Sequence, residues 1–574
     1  MSDLERLRTQ QHPFIWLALG DYQGVVAQTL QLLEDERAVN RIWRRDPTLW
    51  SNDPAQGKEI GHRLGWLHLH ETMRGQLPAL RAFATEAQAA GLRRAVHLGM
   101  GGSSLAPEVL REVLGVTPGY LDLVVLDSTD PAQIRRTANS GTLTETLFIV
   151  ASKSGTTAET SNLYVYFSDL VLSYLGKDAA ARHFCVITDP GTALEVLACD
   201  EQLPFFSNQA DIGGRFSALS LFGLLPAALL GLDLTRLLDQ AQVMATACAP
   251  ERPIAQNPGA QLGAVLGALA GLPGQPRDKL TLLTSSELAS FGVWVEQLVA
   301  ESTGKEGVGI LPVVGESLPV AKYGNDRVFV YLRLEGSDNH ANDTLVSELA
   351  ELGQPCVVLP VSERYDLAGQ FFLWEFATAV VGALLGINPF DQPNVEIAKT
   401  QARASLARYE ESHTLEVGAP ALAHNPLSFY GPDFAATTPT AYLDAFLRGA
   451  LQGDYLALMA YIDRRPDYEA ALQAIRQRLG ERLSLATTLG FGPRFLHSTG
   501  QLHKGGANNG LFILLVQDEP DDLAIPGRSY SFGVLKHAQA LGDLAALQSA
   551  GRRIICINLG SDVGAGLRAL TLAI

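Results

Sequence analysis

Short runs of apolar residues alternate with longer segments of helical periodicity along most of the chain. In the first half, these runs fall at residues 94–98, 121–126, 147–151 and 184–187, and they are rich in Val, Ile, Leu and Phe. Runs of this length and composition predict β-strands, and the segments between them are long enough for helices. Strands that alternate with helices favour a parallel sheet covered by helices on both faces.

A second unit of the same kind follows a long helical stretch at residues 216–248. A helix that begins near Pro393 ends this unit, because proline favours the first helical turn. Residues 400–480 are predicted to be mostly helical, with loop signals at 420–438. The predicted strands of the second unit and of a third α/β piece are residues 280–283, 308–314, 328–334 and 356–361, then 511–516 and 554–557.

The fold class predicted from this pattern is α/β, with two parallel-sheet α/β sandwich domains and a C-terminal α/β extension. We expect a helical N-terminal arm at residues 1–50 and the two sandwich domains at 51–205 and 206–400. Residues 401–574 form the predicted C-terminal helical and α/β region.

The charge balance argues against one class of partner. The 574 residues carry a formal net charge of −17, whereas a general nucleic-acid binder needs a basic face. We therefore expect no nucleic-acid partner. An anionic substrate would have to be bound by a local concentration of donors that outweighs the overall field.

The cysteines and apolar stretches predict a cytoplasmic protein without a membrane partner. The five cysteines are odd in number, scattered and free of C-x-x-C pairs, which is typical of buried thiols in a reducing compartment. The polar, mixed-charge N-terminus does not resemble a signal peptide. The longest apolar stretch is expected at residues 218–232, which contain Pro226 and are too short to span a bilayer.

A glycine-rich turn, Gly-Met-Gly-Gly-Ser-Ser at residues 99–104, follows the first predicted strand and precedes a helix. Glycines there let backbone N–H groups approach an anion at the start of a helix. A dinucleotide site is an alternative, because Asp127 ends the next strand. Against it, Ser104 occupies a position where packing favours glycine or alanine. A simple tight turn is the other alternative.

A second loop, Ser-Lys-Ser-Gly-Thr-Thr at residues 152–157, places four hydroxyl groups at the start of a helix. That density of donors suits the oxygens of a phosphate monoester. The alternative is a capping turn, for which a single hydroxyl would suffice.

Two helices carry polar residues at helical spacing. Gln297 and Glu301 lie four residues apart, with the carboxylate near a helix C-terminus and therefore against the helix dipole. Gln392, Glu396 and Lys399 share one face of the helix near Pro393, which would otherwise be a solvated face.

Together these segments resemble the phosphoglucose isomerase family, whose sugar-isomerase (SIS) domains have this alternating α/β build. The resemblance runs from about residue 40 to 400. The turn with Gly102 and Ser103 resembles the family's G-x-G-G-S turn, and residues 152–157 resemble its phosphate loop. The remaining matches are residues 213–217 to G-G-R-[FY]-S, residues 301–305 to E-S-x-G-K, and residues 391–399 to D-Q-x-x-V-E-x-x-K.

The resemblance implies an aldose–ketose isomerase that interconverts glucose 6-phosphate and fructose 6-phosphate through a cis-enediolate. It implies hexose 6-phosphates as substrates, no organic cofactor, no metal and a homodimer. Glu301 would be the proton-transfer base, Arg215 the cation beside the enediolate, and Lys399 and a histidine would move protons between oxygens. The implied substrate-binding residues are Gly102, Ser103, Ser152, Lys153, Ser154, Thr156, Thr157, Gln297 and Gln392.

The ring-opening histidine is not fixed by the resemblance. The family's T-N-G-Q-H-A-F segment has only a loose counterpart at residues 336–341, which contain His340. We therefore expect His503, in the glycine-rich segment 498–506, to take that role, with His340 and His497 as alternatives. Residues 400–574 resemble the C-terminal part of bacterial transaldolase–phosphoglucose isomerase fusions, and the chain would be the isomerase part alone.

Two other functions remain open at this point. One is a dual phosphoglucose/phosphomannose isomerase, because tolerance at C2 depends on the shape of the pocket. The other is a non-catalytic SIS sugar-phosphate sensor, which the presence of both Glu301 and Lys399 disfavours.

Overall fold

Three β-sheets organise the chain in the computed structural model, which describes residues 12–415 and 417–574. In chain order the strands are β1 (Trp16–Ala18), β2 (Arg94–Gly99), β3 (Asp122–Leu126), β4 (Thr146–Ala151), β5 (Phe184–Thr188), β6 (Phe205–Ser207), β7 (Lys279–Thr284), β8 (Leu311–Val314), β9 (Arg327–Leu334), β10 (Cys356–Val361), β11 (Leu422–His424), β12 (Leu427–Tyr430), β13 (Tyr455–Tyr461), β14 (Ala486–Phe491), β15 (Gly510–Val516) and β16 (Arg553–Asn558).

Helices connect these strands and cover the faces of the sheets. In chain order the α-helices are α1 (Gln23–Asp35), α2 (Ala38–Trp43), α3 (Pro54–Gly61), α4 (Leu69–Thr72), α5 (Leu77–Ala89), α6 (Leu105–Leu114), α7 (Pro131–Asn139), α8 (Ala158–Leu175), α9 (Lys177–Ala180), α10 (Ala193–Asp200), α11 (Leu221–Leu229), α12 (Leu234–Ala247), α13 (Pro258–Ala270), α14 (Phe291–Thr303), α15 (His340–Glu351), α16 (Leu367–Leu385), α17 (Val395–Ser412), α18 (Pro439–Leu447), α19 (Pro466–Leu483), α20 (Gly500–Gly505), α21 (Phe532–Ser549) and α22 (Val563–Ala573).

The strand pairing confirms the α/β class with parallel sheets. The first sheet has the order β3-β2-β4-β5-β6 and is parallel throughout. The second has the order β1-β10-β9-β7-β8, with β1 antiparallel at its edge. The third has the order β11-β12-β16-β15-β13-β14, in which β11 and β12 are the antiparallel strands.

The predicted strands all form. The described part of the N-terminal arm contains the helices α1 and α2, and in addition the short strand β1, which pairs with β10; residues 1–11 of the predicted arm lie outside the described residues. The prediction that residues 400–480 are mostly helical is wrong, since β11, β12 and β13 lie there. All seven residues of β13 are buried, and a short, continuously apolar run cannot be told from a buried helix by periodicity.

A long apolar helix, α16, was not singled out from the sequence. The segment Arg364–Leu385 is the one helix among the described residues that is long and apolar enough to cross a membrane by length and composition. In this fold 89% of its apolar window is buried, so it serves as a core helix. The stretch chosen from the sequence contains α11, all of whose residues are buried as expected.

The parallel pairing of β2 with β4 places two loops side by side. Gly99 at the end of β2 pairs with Ala151 at the end of β4, so residues 99–104 and 152–157 leave the same edge of the sheet. Ligands of open parallel sheets bind at this carboxyl edge. Four of the cysteines are buried free thiols, as predicted, and Cys199 is exposed.

Candidate active site

The glycine turn packs directly against the loop that carries Arg215. A Cβ atom on Gly102 would lie 2.1 Å from the carbonyl oxygen of Gly214, so a larger residue would displace that loop. Gly101 has a φ of 55°, which also favours glycine, and the buried Ser103 follows. The turn therefore fixes the first sheet against the Arg215 loop.

Asp127 is engaged in an ion pair rather than left open for a ribose. Its Oδ2 accepts a hydrogen bond of 2.5 Å from Arg494 Nε, and Arg494 also pairs with Glu108. Although burial lowers the pKa of the guanidinium, these two carboxylates raise that pKa above its usual range. This ion pair joins the first sheet to the segment after β14 and disfavours the dinucleotide alternative.

The hydroxyl loop at 152–157 has its side chains fastened to one another. Ser152 Oγ lies 2.9 Å from Thr157 Oγ1, and Ser154 Oγ accepts from the Thr156 hydroxyl at 3.1 Å and from its N–H at 3.3 Å. Ser152 is buried whereas Ser154 and Thr156 are exposed, so the loop presents hydroxyls at the surface beside the start of α8.

Two predicted lysines are held by neighbouring carboxylates. Lys153 forms an ion pair with Asp189, pointing along the sheet edge. Lys399, whose side chain is 45% exposed, bonds Glu396 at 2.8 Å on its own helix α17.

Glu301 lies near the end of α14 and is buried against an arginine. Its Oε1 is 3.3 Å from Arg215 Nη1, and its Oε2 accepts from Gln297 Nε2 at 3.2 Å, one helical turn earlier. A carboxylate at a helix C-terminus is unfavourable with respect to the dipole, and the buried guanidinium offsets this.

Arg215 is held in place from three directions. Nε donates to Ser302 Oγ at 3.0 Å, Nη1 donates to Gln392 Oε1 at 2.9 Å, and Nη2 donates to the carbonyls of Pro389 and Asp391 at 3.0 Å. The guanidinium is therefore a fixed, buried positive charge that also connects Gln392 to Glu301.

Lys305 is a buried residue of this region that the sequence analysis assigned no role. Its ammonium donates to the carbonyls of Asn388 and Asp391 and to the Asp391 carboxylate, at 2.6–2.7 Å. Burial and, next, the charge of Arg215 lower the pKa of Lys305 to about 8. Lys305 therefore fastens the end of α14 to the loop before α17.

In the described chain, His503 makes no hydrogen bond to Glu301, Gln297 or Arg215. Its ring is enclosed beside Tyr455, whose hydroxyl lies 3.0 Å from Nδ1, and Phe512, with a centroid distance of 5.0 Å. Burial lowers the pKa of His503 to about 3, so the ring is neutral. His340 is exposed at the first residue of α15.

His497 is the histidine that contacts Glu159 and Gln297. Its Nε2 lies 3.0 Å from Glu159 Oε1, and its carbonyl oxygen accepts from Gln297 Nε2 at 2.5 Å. Gln539 of α21 also donates to Glu159, at 2.7 Å. Burial raises the pKa of the Glu159 carboxyl, but the charge and hydrogen bond of His497, a backbone hydrogen bond and the charge of Lys399 together leave that pKa below its ordinary value.

The comparisons with known proteins point to one family. Residues 35–310 match the sequence profile described as phosphoglucose isomerase. The chain is 30% identical to a probable glucose-6-phosphate isomerase of Haloarcula marismortui over 54% of this chain and 77% of that protein. It is 30% identical to a glucose-6-phosphate isomerase of Rubrobacter xylanophilus over 60% and 89%. The chain belongs to the phosphoglucose isomerase family.

Solved structures show the same fold over about two thirds of the chain. A hypothetical protein of Thermus thermophilus superposes with a TM-score of 0.58 at 27% identity, covering 68% of this chain and all of that one. A glucose-6-phosphate isomerase of Chlamydia trachomatis gives 0.58 at 19% identity, covering 71% and 91%.

The phosphoglucose isomerase profile covers only part of the candidate site. It includes the hydroxyl loop, Arg215 and Glu301 but ends at residue 310, before Gln392, Lys399 and His497. Sequence reasoning also gave Glu159 no role, although it lies two residues after the hydroxyl loop. Its position on the first turn of α8, beside a loop already assigned to phosphate, was the available signal.

Proposed function

We propose that this phosphoglucose isomerase family member interconverts glucose 6-phosphate and fructose 6-phosphate through a cis-enediolate. One observation carries the proposal: an unbroken series of polar contacts joins Glu159, His497, Gln297, Glu301 and Arg215. The series brings an acid–base pair, a buried carboxylate and a fixed cation to one edge of the first sheet, which is what this isomerisation needs.

Glu301 is the proposed base. It takes the proton from C2 of the open-chain aldose, the electrons of the broken C–H bond form the C1–C2 double bond, and the π electrons of the C1 carbonyl move to O1, which gives the enediolate. O1 gains a proton and the C2 hydroxyl loses one, so that O2 becomes the carbonyl oxygen of the ketose. The same carboxyl then returns the proton to C1, which yields the ketose. Gln297 donates to Oε2 of Glu301 and Arg215 pairs with Oε1, so these two contacts fix the orientation of the carboxylate.

Arg215 is proposed to stabilise the negative charge of the enediolate oxygen. A guanidinium stays ionised at neutral pH, and its position is fixed before the substrate arrives. The buried, water-poor surroundings strengthen this interaction relative to a surface site.

The hydroxyl loop is proposed to bind the 6-phosphate. Ser152, Ser154, Thr156 and Thr157 supply hydroxyl donors, and the first turn of α8 adds unpaired backbone N–H groups. Binding the remote phosphate aligns C1 and C2 with Glu301, so that binding energy lowers the barrier of proton transfer.

His497, paired with Glu159, is proposed to open the sugar ring, in place of His503. The imidazole can donate a proton to the ring oxygen, and the carboxylate orients it and stabilises its protonated form. Lys399, which is partly exposed on α17, is proposed to assist the transfer of protons between the sugar oxygens. The histidine and the carboxylate belong to the same chain, so this pair forms without a residue from a second subunit.

The proposed reaction needs no metal and no organic cofactor, because the proton transfers use side chains alone. On the resemblance to the family, we propose a cytoplasmic homodimer. The four regions expected from the sequence, at 1–50, 51–205, 206–400 and 401–574, remain our proposed domain division.

A coupled assay of the purified chain tests the proposal. Fructose 6-phosphate is supplied, and glucose 6-phosphate is measured by NADP⁺ reduction with glucose-6-phosphate dehydrogenase. Turnover above the uncatalysed rate supports the isomerase, and turnover of mannose 6-phosphate in a second assay would extend it to a dual enzyme. Binding of fructose 6-phosphate without turnover would instead favour the sugar-phosphate sensor.

A further inference from the structure

A large cavity of the described chain lies away from the candidate active site, in the region built on the third sheet. It has a volume of about 1170 Å³. Its floor is the apolar face of β15 and β16, with Leu514, Val516, Ile554 and Cys556. No member of the series from Glu159 to Arg215 lines it, so its ligand would not be the isomerase substrate.

The cavity exists because small residues leave this face of the sheet incompletely covered. On one side α21 faces it with Ala540 and Ala545, and on the other the chain turns away after β12 at Gly431. Sites for small organic ligands have this character, with concave, mostly apolar walls and a few polar groups.

On balance, the charges at the cavity that have no ion-pair partner in the described chain are positive, because Arg408 and Arg552 outnumber Asp518. Arg553 is paired with Asp454, and Asp518 accepts from Asn558 at 2.8 Å. Arg408 of α17 donates to Ser405 Oγ at 3.3 Å and has no carboxylate partner among the residues that the structure describes. An exposed guanidinium beside an apolar floor matches a ligand that carries an acidic group on an apolar body.

The third arginine that lines the cavity is Arg552. Arg552 donates to the carbonyls of Lys504 and Gly506 at 2.6 and 2.7 Å, and its Nε is buried without a partner in the described chain. The cavity wall is thus bonded to the end of α20, the helix that follows His497.

We propose that this cavity is a binding site for an amphipathic organic anion, with an apolar ring system on the floor of β15 and β16 and an acidic group at Arg408. This proposal does not depend on the isomerase reaction. The walls connect it to the active site, because α21 supplies both the cavity residue Ala540 and Gln539, which holds Glu159.

Fluorescence titration of the full chain with two related probes tests the proposal. 1-Anilinonaphthalene-8-sulfonate carries the acidic group, and N-phenyl-1-naphthylamine has the same rings without it. Arg408→Gln should weaken binding of the sulfonate about tenfold, the value of one charge-assisted hydrogen bond, and leave the neutral probe unchanged. Arg448→Gln is the matched control, since Arg448 is exposed at the end of α18 and does not line the cavity.

A variant whose new side chain fills the cavity provides a second test. Ala545→Trp should displace both probes, while circular dichroism and the thermal midpoint report whether the fold is kept. The proposal is overturned if Arg408→Gln leaves sulfonate binding unchanged, or if a folded Ala545→Trp chain binds both probes as before. Probe affinity that falls as chain concentration rises would show that a second copy covers the cavity, which would also overturn it.

Discussion

The first two sheets and the third sheet contribute to the candidate site by different routes. The first two supply the hydroxyl loop, Arg215 and Glu301, each within a short segment that has its own sequence pattern. The third supplies His497, in the turn Arg494–His497 after β14, which has no pattern of that kind. His497 reaches Glu159 across 338 residues of sequence.

This difference shows which interactions hold the site together. The regions built on the three sheets are called the first, second and third units. Within the first two units, Glu301 and Arg215 bond to each other and to residues of α14 and of the loop before α17. The third unit is joined to them by a buried ion-pair group, in which Arg494 meets Asp127 and Glu108. The histidine position therefore depends on the contact between units. Arg215 is held within the first two units, and Glu301 is linked to the third through Gln297.

The largest expected effect concerns the base. Glu301→Gln keeps the shape and the bond to Gln297 but cannot take a proton, so kcat should fall by roughly a hundred- to ten-thousandfold. Steady-state kinetics with fructose 6-phosphate measures this. Glu306→Gln is the matched control, because Glu306 is exposed five residues later and should retain wild-type turnover. Near-normal turnover of Glu301→Gln would show that another group is the base.

Breaking the contact between units should destabilise the chain. Arg494→Met leaves the buried Asp127 without its cation and Glu108 with only the more distant Arg464, which should cost about 3–5 kcal/mol. Thermal unfolding measures the loss as a lower midpoint. Arg465→Met tests an exposed pair with Asp467 and should leave the thermal midpoint nearly unchanged. Equal shifts in both variants would mean that Arg494 does not hold the units together.

Much of the fold and part of the site could be predicted from the sequence, and the limits have physical causes. Strands such as β4 are apolar runs between helical segments, and the loops after them are fixed by local bonds. By contrast, β13 is indistinguishable from a buried helix by pattern. The sequence favours His503 over His497 because the small residues around His503 permit close approach to a ligand. In the structure, the His503 ring is buried between Tyr455 and Phe512, and this burial results from tertiary packing that the local sequence does not reveal.

A smaller effect is expected from the hydroxyl loop. Removing the hydroxyls of Ser152 and Thr157 together, as Ser152→Ala/Thr157→Ala, should weaken binding of 6-phosphogluconate about tenfold, because charge-assisted hydrogen bonds to phosphate are lost. Isothermal titration calorimetry measures the affinity. Gluconate, which lacks the phosphate, is the control ligand. A parallel loss for both ligands would show that the loop does not recognise phosphate.

The smallest effect is a pH dependence of stability at the junction of the units. Glu296 of α14 accepts a hydrogen bond from Ser498 Oγ at 3.5 Å, and burial raises the pKa of its carboxyl to about 7 despite the nearby charges of Arg476 and Arg494. Because that pKa is raised on folding, the contribution of Glu296 to stability is complete below about pH 4.5 and is lost as pH rises through 7.

Glu296→Gln removes this titration. The thermal midpoint of the variant relative to the unsubstituted chain should therefore increase between pH 5 and pH 8, by an amount equivalent to about 1–2 kcal/mol. The cavity beside Glu296 is also lined by Arg464 and Glu469, so both proteins should be compared at the same ionic strength. A midpoint difference that is constant across this range would contradict the assignment.

Whether the third unit completes the site through His497 can be decided by a pair of rates. Two rates are compared. One is turnover of ordinary, mostly cyclic fructose 6-phosphate, and the other is exchange of the C2 proton into D₂O, followed by NMR, for an aldose 6-phosphate analogue that lacks both O4 and O5 and therefore cannot close a furanose or a pyranose ring. We predict that His497→Ala slows the cyclic substrate about a hundredfold and leaves the exchange within a few-fold, whereas His503→Phe, which keeps a ring between Tyr455 and Phe512, changes neither comparably. If only His503→Phe separates the two rates, the role of His497 is contradicted, and the ring is opened by the residue first expected from the sequence.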